Sequence, residues 1–269
     1  MWSGWSRRWR ELREARAIAR RPVPDDLWRR TLNRYPFLRR RDPGDEILLR
    51  RLVSLFLDRK EFSAAGRIRL TNDVVVAIAA QACLPILRLG LERYDGFVGI
   101  VLHEDAVVAR REWMDDDGVV HEYDEVLAGE AVQGGPLMLS WRDVRTAGQS
   151  ARDGYNVVMH EFAHVLDMAD GISDGVPVLP ADIPVREWTH TLQTALHSLQ
   201  SRVENGEPTA LDAYGAQGPD EFFAVASEAF FVAPALLRAE HPELCALFTR
   251  FYRQDPETEG ARAAAAPSR

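Results

Sequence analysis

Apolar positions along the first ninety residues recur at helical spacing. Trp2, Trp5, Trp9 and Leu12 stand three and four apart with arginines between them, which predicts an amphipathic helix over 2–20. Aromatic, basic helices can lie on membrane surfaces, but packing onto the body of the protein is the expected use. Pro22 and Pro24 break the pattern, and Asp25 or Asp26 can cap a second helix that runs to residue 33. Ile47, Leu48, Leu52, Leu55 and Phe56 make the buried stripe of a third helix over 45–58. Residues 67–70, Arg-Ile-Arg-Leu, alternate as a short strand would. Thr71 or Asn72 then caps a long apolar helix, 74–89, bent or ended near Pro85.

From Phe97 the period changes to two. Strands are expected over 97–103, 106–111 and 119–123, with Asp115-Asp116-Asp117-Gly118 as the turn between the last two. That acidic turn lacks the length and distal glutamate of a calcium loop and reads as a plain hairpin turn. Gly134, Gly135 and Pro136 introduce a further strand, 134–141, which a polar connection over 142–156 joins to the next helix. This strand is either a sheet edge able to pair with an extended peptide or an ordinary inner strand, and element order leaves both open. A loop over 170–182, a helix over 185–204 and a helix opened by Pro219 follow. Helices, then strands, then helices give an α+β class with one mixed sheet.

Composition narrows this little. The chain has 269 residues, 46% apolar and 28% charged, as ordinary globular proteins do. Charge is uneven: residues 1–60 carry 17 of the 33 Lys and Arg but 8 of the 41 Asp and Glu, a local +9 that leaves −17 for the rest of a chain of net charge −8. No DNA-reading motif accompanies the basic end, so direct nucleic-acid binding is not expected. Cys83 and Cys245 sit in apolar segments without metal-ligand spacing, which suits buried free thiols in a reducing compartment. The start has no apolar leader pattern and the longest apolar stretch, 74–87, is too short to span a bilayer, so a cytoplasmic location and no membrane association are expected.

The candidate chemistry lies in Val157-Val158-Met159-His160-Glu161-Phe162-Ala163-His164-Val165-Leu166. Two histidines four apart share one helix face, so His160 and His164 can converge on one ion. Two imidazoles suit zinc, whose catalytic sites take a third protein ligand and keep a position for water. Glu161 follows the first histidine and can serve as general base. His190 and His197 lie two turns apart, too far for one ion, and His103, His121 and His241 are isolated. The third ligand is Glu221 or Glu228, which lie on nearly the same face of the helix that Pro219 opens; spacing does not choose between them.

The pieces HEFAHVLDM, YGAQGPDEFFAVASEAFF, AAQACLPILRLGL and GPLMLSW resemble the Mlc titration factor A family of bacterial zinc peptidases, similar in catalytic core to the anthrax lethal factor protease domain. The resemblance runs from about residue 24 to 252. It implies a zincin-like metallopeptidase, a small mixed sheet packed on the HExxH helix with a helical N-terminal part. It also implies one zinc per chain held by His160, His164 and Glu221, with Glu161 as base and Tyr214 pointing into the active site. Glu228 then becomes a supporting residue, and Asp167 either orients a ligand imidazole or lies on the helix surface. The domain reading is an N-terminal helix over 1–23, one peptidase domain over 24–253 (helical to 95, sheet and active site from 96) and a disordered tail over 254–269. An aminopeptidase-like preference for short peptides and a transcriptional repressor as protein partner are further implications. Rival readings are a regulator-binding protein with minor peptidase activity and a zinc hydrolase of non-peptide amides.

Overall fold

A computed structural model of the chain describes the backbone of residues 2–39, 43–105, 107–114, 120–127, 129–131 and 134–258; side chains are described within these except at 2–7, 10, 107–114, 120–127 and 130. Helices α1 (Trp2–Arg20), α2 (Asp25–Arg34) and α3 (Pro43–Arg59) open the chain. Ala17 and Ile18 seat the C-terminal half of α1, where Arg20 grips Asp58 of α3 with two nitrogens at 2.9 and 2.7 Å. The expected packing of the whole aromatic stripe is not met, because Trp9 and Leu12 remain 56% and 48% exposed.

Strand β1 (Glu61–Ala64) follows directly. The strand expected over 67–70 is instead a loop: Ala65 makes the last bond to Leu102, and Gly66, at φ +82°, turns the chain away. Helix α4 (Asn72–Cys83) starts where the Thr71 hydroxyl accepts from Val74 N and ends two residues short of Pro85. Its residues from Val76 to Cys83 are all buried, Gln81 among them.

Strands β2 (Gly99–His103), β3 (Val107–Met114), β4 (Val120–Leu127), β5 (Gly129–Ala131) and β6 (Leu137–Ser140) come next. β3 and β4 form a separate antiparallel ribbon, and the turn expected between them lies outside the described residues. The other four make a mixed sheet in the order β1-β2-β6-β5, with β1, β2 and β6 parallel and β5 antiparallel to β6. So β6 is an inner strand, and the edge beside it is β5.

The stretch after β6 is not a polar connection but a helix, α5 (Trp141–Ser150). The Ser140 hydroxyl accepts from Asp143 N, which stops the strand at Ser140 and starts the helix one residue later. Then come α6 (Val157–Asp167), α7 (Val185–Glu204), α8 (Pro219–Val232), α9 (Pro234–Glu240) and α10 (Pro242–Tyr252). Gln254, placed at the start of the tail by sequence, is buried, and its amide donates to Leu84 O at 3.0 Å; residues 259–269 lie outside the described residues. Both cysteines are buried free thiols. No described helix is long and apolar enough to cross a membrane.

Two aromatic clusters fix the helices that matter most. Behind α6, Phe162 packs on Tyr94, Phe56 and Phe97 at ring separations of 4.9, 5.8 and 5.8 Å. Behind α8, Phe223 meets Trp188 of α7 and Phe248 of α10, each at 5.8 Å. Each buried aromatic side chain removes a large apolar area from water and leaves the opposite helix face to be set by what remains.

Candidate metal centre

Helix α6 begins at Asn156, whose backbone is extended (φ −155°) and whose side-chain oxygen accepts from Met159 N at 3.0 Å. With Phe162, Ala163 and Leu166 committed to the core, His160 and His164 turn to the opposite side. Helix α8 begins with Pro219 in its first turn, so Glu221 is presented from that turn.

The two helices bring three ligand atoms together. His160 Nε2 and His164 Nε2 are 3.1 Å apart, and Glu221 Oε2 is 3.1 Å from the first and 3.3 Å from the second. Four-coordinate zinc with bonds of about 2.0–2.1 Å has ligand atoms about 3.3–3.4 Å apart, close to this triangle. Two ring nitrogens facing one carboxylate oxygen at these distances also suit a shared cation, and the donor set is one that zinc accepts. Burial opposes ionisation of Glu221, but hydrogen bonds from both imidazoles outweigh it and hold the carboxyl well below its usual range. Among the described residues this is the one His/Cys/Asp/Glu grouping with such geometry, and Glu228 is not part of it.

Glu228 has a different place. Its Oε1 is 2.6 Å from His160 Nδ1, and with that nitrogen donating, Nε2 can release its proton and turn its lone pair to a metal. Burial pushes the Glu228 carboxyl up, and the His160 ring pulls it back. Its other oxygen accepts from Asn156 N at 2.5 Å, and the Asn156 side-chain amide donates to Gln81 Oε1 at 2.8 Å. A chain of buried polar groups therefore runs from the last turn of α4 to the ring of His160.

Asp167 does not orient a ligand imidazole. Its Oδ2 accepts from Gly175 N at 3.0 Å and from the Ser173 hydroxyl at 3.3 Å, while Oδ1 is buried without a partner. Burial raises its pKa to about 6. Gly175, at φ +76°, has Pro219 O 2.4 Å from where a Cβ would stand. Asp167 thus ties the end of α6 to the loop that abuts the start of α8, which sets the spacing between the two ligand helices.

Glu161 is 4% exposed, and burial pushes its carboxyl up to about 7 against the pull of both imidazoles. Edge strand β5 passes directly over it: a Cβ on Gly129 would stand 2.4 Å from Glu161 Oε1. Tyr214 lies with its ring 5.9 Å from that of His160, and its hydroxyl is 3.5 Å from Glu221 Oε1. The Asp212 carboxylate receives Tyr214 N at 2.9 Å and fixes the turn that carries the phenol. All five sequence-derived positions therefore share one site, whereas His190 and His197 are exposed elsewhere.

Asn156, Gln81 and Gly129 escaped the sequence reading. An Asn just before an apolar run is a cap signature, and a lone Gln within an apolar helix marks a buried partner; both signals were present. Gly129 carried none, because only the fold puts it over Glu161.

A mixed sheet with an antiparallel edge strand beside a helix bearing HExxH, joined by a carboxylate from a later helix, is the architecture of a metallopeptidase. The sequence model of the glucose-regulated metallo-peptidase M90 family matches residues 7–253, and the chain belongs to that family. Its relatives include Mlc titration factor A of Klebsiella pneumoniae strain 342, 38% identical over 224 residues that cover 82% of this chain and 83% of the relative. Mlc titration factor A of Salmonella gallinarum is 40% identical over 212 residues, 77% of this chain and 79% of the relative. An uncharacterised protein of Synechocystis is 36% identical over 250 residues, 92% and 90% of the two chains.

Proposed function

We propose that the chain is a zinc-dependent peptidase with an aminopeptidase-like preference for short peptides. His160, His164 and Glu221 hold the metal. The observation that carries this reading is the triangle of ligand atoms at 3.1 to 3.3 Å with Glu161 beside it. A zinc ion bound there supplies Lewis acidity, lowering the pKa of water and polarising a carbonyl. Glu161 takes the proton of the attacking water and passes a proton to the departing amine. A carboxyl raised to about 7 by burial is matched to both transfers near neutral pH. Tyr214 donates a hydrogen bond from its hydroxyl to the oxygen that gains charge as the carbonyl is attacked. β5 supports peptide recognition, because an edge strand next to Glu161 can pair with an extended backbone.

The test is hydrolysis of unblocked aminoacyl and peptide substrates by wild type and Glu161→Gln at equal zinc content. Loss of about 10²-fold or more in kcat by the zinc-loaded variant is expected. Equal turnover by both would sink the mechanism. A second reading stands beside the first: the name of the relatives, a titration factor for Mlc, supports capture of a transcriptional repressor. A pull-down with metal-free protein separates the two, since capture that ignores zinc is independent of the peptidase site. Two buried free thiols support action in a reducing compartment such as the cytoplasm.

A further inference from the structure

We propose a second ligand site, for a phosphate monoester of a small organic molecule, in a cavity of about 660 Å³ that shares no residue with the metal centre. It lies at the carboxyl ends of β1, β2 and β6, the three parallel strands, where crevices of open sheets take ligands. Arg67 and Arg69 reach it from the loop after β1, and Arg142 and Arg145 from the first turns of α5. Arg142 faces Asp105 at 3.7 Å, and the Glu104 carboxylate is engaged by Arg67 N at 3.1 Å. Among the described residues no carboxylate pairs with the guanidinium groups of Arg67, Arg69 or Arg145.

The charge balance selects the ligand. Four arginines against Glu104 and Asp105 leave the lining at +2 within a chain of net charge −8. A carboxylate monoanion would neutralise half of that surplus, whereas a phosphate monoester, near −2 at neutral pH, neutralises all of it. Guanidinium forks match phosphate oxygens in pairs, and unpaired arginines lining one cavity otherwise repel one another. The first turns of α4 and α5 both border the cavity, through Thr71 and Trp141, and add their N-terminal dipoles in the same sense. The volume exceeds what phosphate alone requires and suits a sugar- or nucleoside-sized ester. Trp141 offers a ring surface in the lining, and Arg34, outside it, sits 5.8 Å from the same indole.

Calorimetric titration with ribose 5-phosphate, AMP, adenosine and inorganic phosphate at constant ionic strength tests the site. Wild type is expected to bind one equivalent of a phosphate ester, with adenosine failing to bind. Arg69→Gln/Arg145→Gln should weaken that binding at least tenfold, while Arg152→Gln, in the turn just beyond the far end of α5, should leave it unchanged. Tighter binding of AMP than of ribose 5-phosphate would assign Trp141 to a base. No saturable binding of either ester by wild type overturns the proposal, and so does full affinity in the double variant. Binding of inorganic phosphate with the affinity of the esters overturns the claim that the rest of the cavity is used.

Discussion

At the scale of single residues, the carboxyl of Glu161 is positioned partly by what residue 129 lacks. A Cβ there would stand 2.4 Å from Oε1 and 2.5 Å from Cδ, so any larger residue must push the proposed base aside. Gly129 does not have the positive φ that would itself require glycine, so alanine brings the clash without backbone strain. Gly129→Ala is expected to lower kcat about 10- to 100-fold at unchanged zinc content, because displacements of about 1 Å in a catalytic group cost that much. Unchanged kcat in the zinc-loaded variant would show that the carboxyl is held by something else. The contrast with His160, His164 and Glu161 is one of range. Those three lie within five residues, and helical period alone puts the histidines on one face. Gly129 meets Glu161 across 32 positions, and Gln81 meets Asn156 across 75, so no local pattern announces either contact. Asp167 shows the converse: three residues after His164 it looked like a ligand's partner, but the pull of Gly175 N and Ser173 decided its direction.

At the scale of elements, the long helices were legible because many positions report one period, and α7 was expected over its observed span. Short elements had no such redundancy. Residues 67–70 alternate, but a strand needs a partner, and the ladder between β1 and β2 had already ended. The start of α5 rests on one Ser140 cap inside a stretch that otherwise reads as polar loop. The join between α3 and β1 rests on Lys60, the one lysine of the chain. Its ammonium donates to Tyr94 O and Phe97 O and sits 3.8 Å from the Phe97 ring. Burial pulls its pKa from 10.5 to about 8, with Asp95 opposing. The folded value lies below the unfolded one, so between pH 8 and 10.5 the unfolded chain binds more protons and this group's contribution to stability rises with pH. Thermal melts of wild type and Lys60→Met should therefore separate in favour of wild type as pH is raised from 7 to 9.5. A difference in Tm that stays constant, or falls, would show that Lys60 keeps its proton in the folded protein.

At the scale of the whole molecule, the architecture serves to hold two helices in one register. The α6 and α8 faces meet at the site, and each helix is clamped from behind by its own aromatic cluster. Glu228 of α8 reaches the His160 ring of α6, and Asp167 at the end of α6 holds the loop that abuts the start of α8. His160 and Glu221 are 61 residues apart, so an unfolded chain offers the ion no comparable three-ligand site. A metal that binds only the folded state stabilises it by RT ln(1 + [L]/Kd), about 4 kcal/mol at a thousand times Kd. For a domain of this size each kcal/mol moves Tm by about 2–4 °C, so chelation is expected to lower Tm by about ten degrees and zinc to restore it. Glu221→Gln removes one of the three proposed ligands and should melt near the chelated wild type, with little further change on adding chelator. The fold must form the triangle before the ion can reinforce it, so the chelated protein should still unfold cooperatively. If the metal-loaded and chelated wild type melt together, with one ion shown bound before chelation, the unfolded chain binds zinc as well as the folded one does and the three ligands are not a site made by the fold.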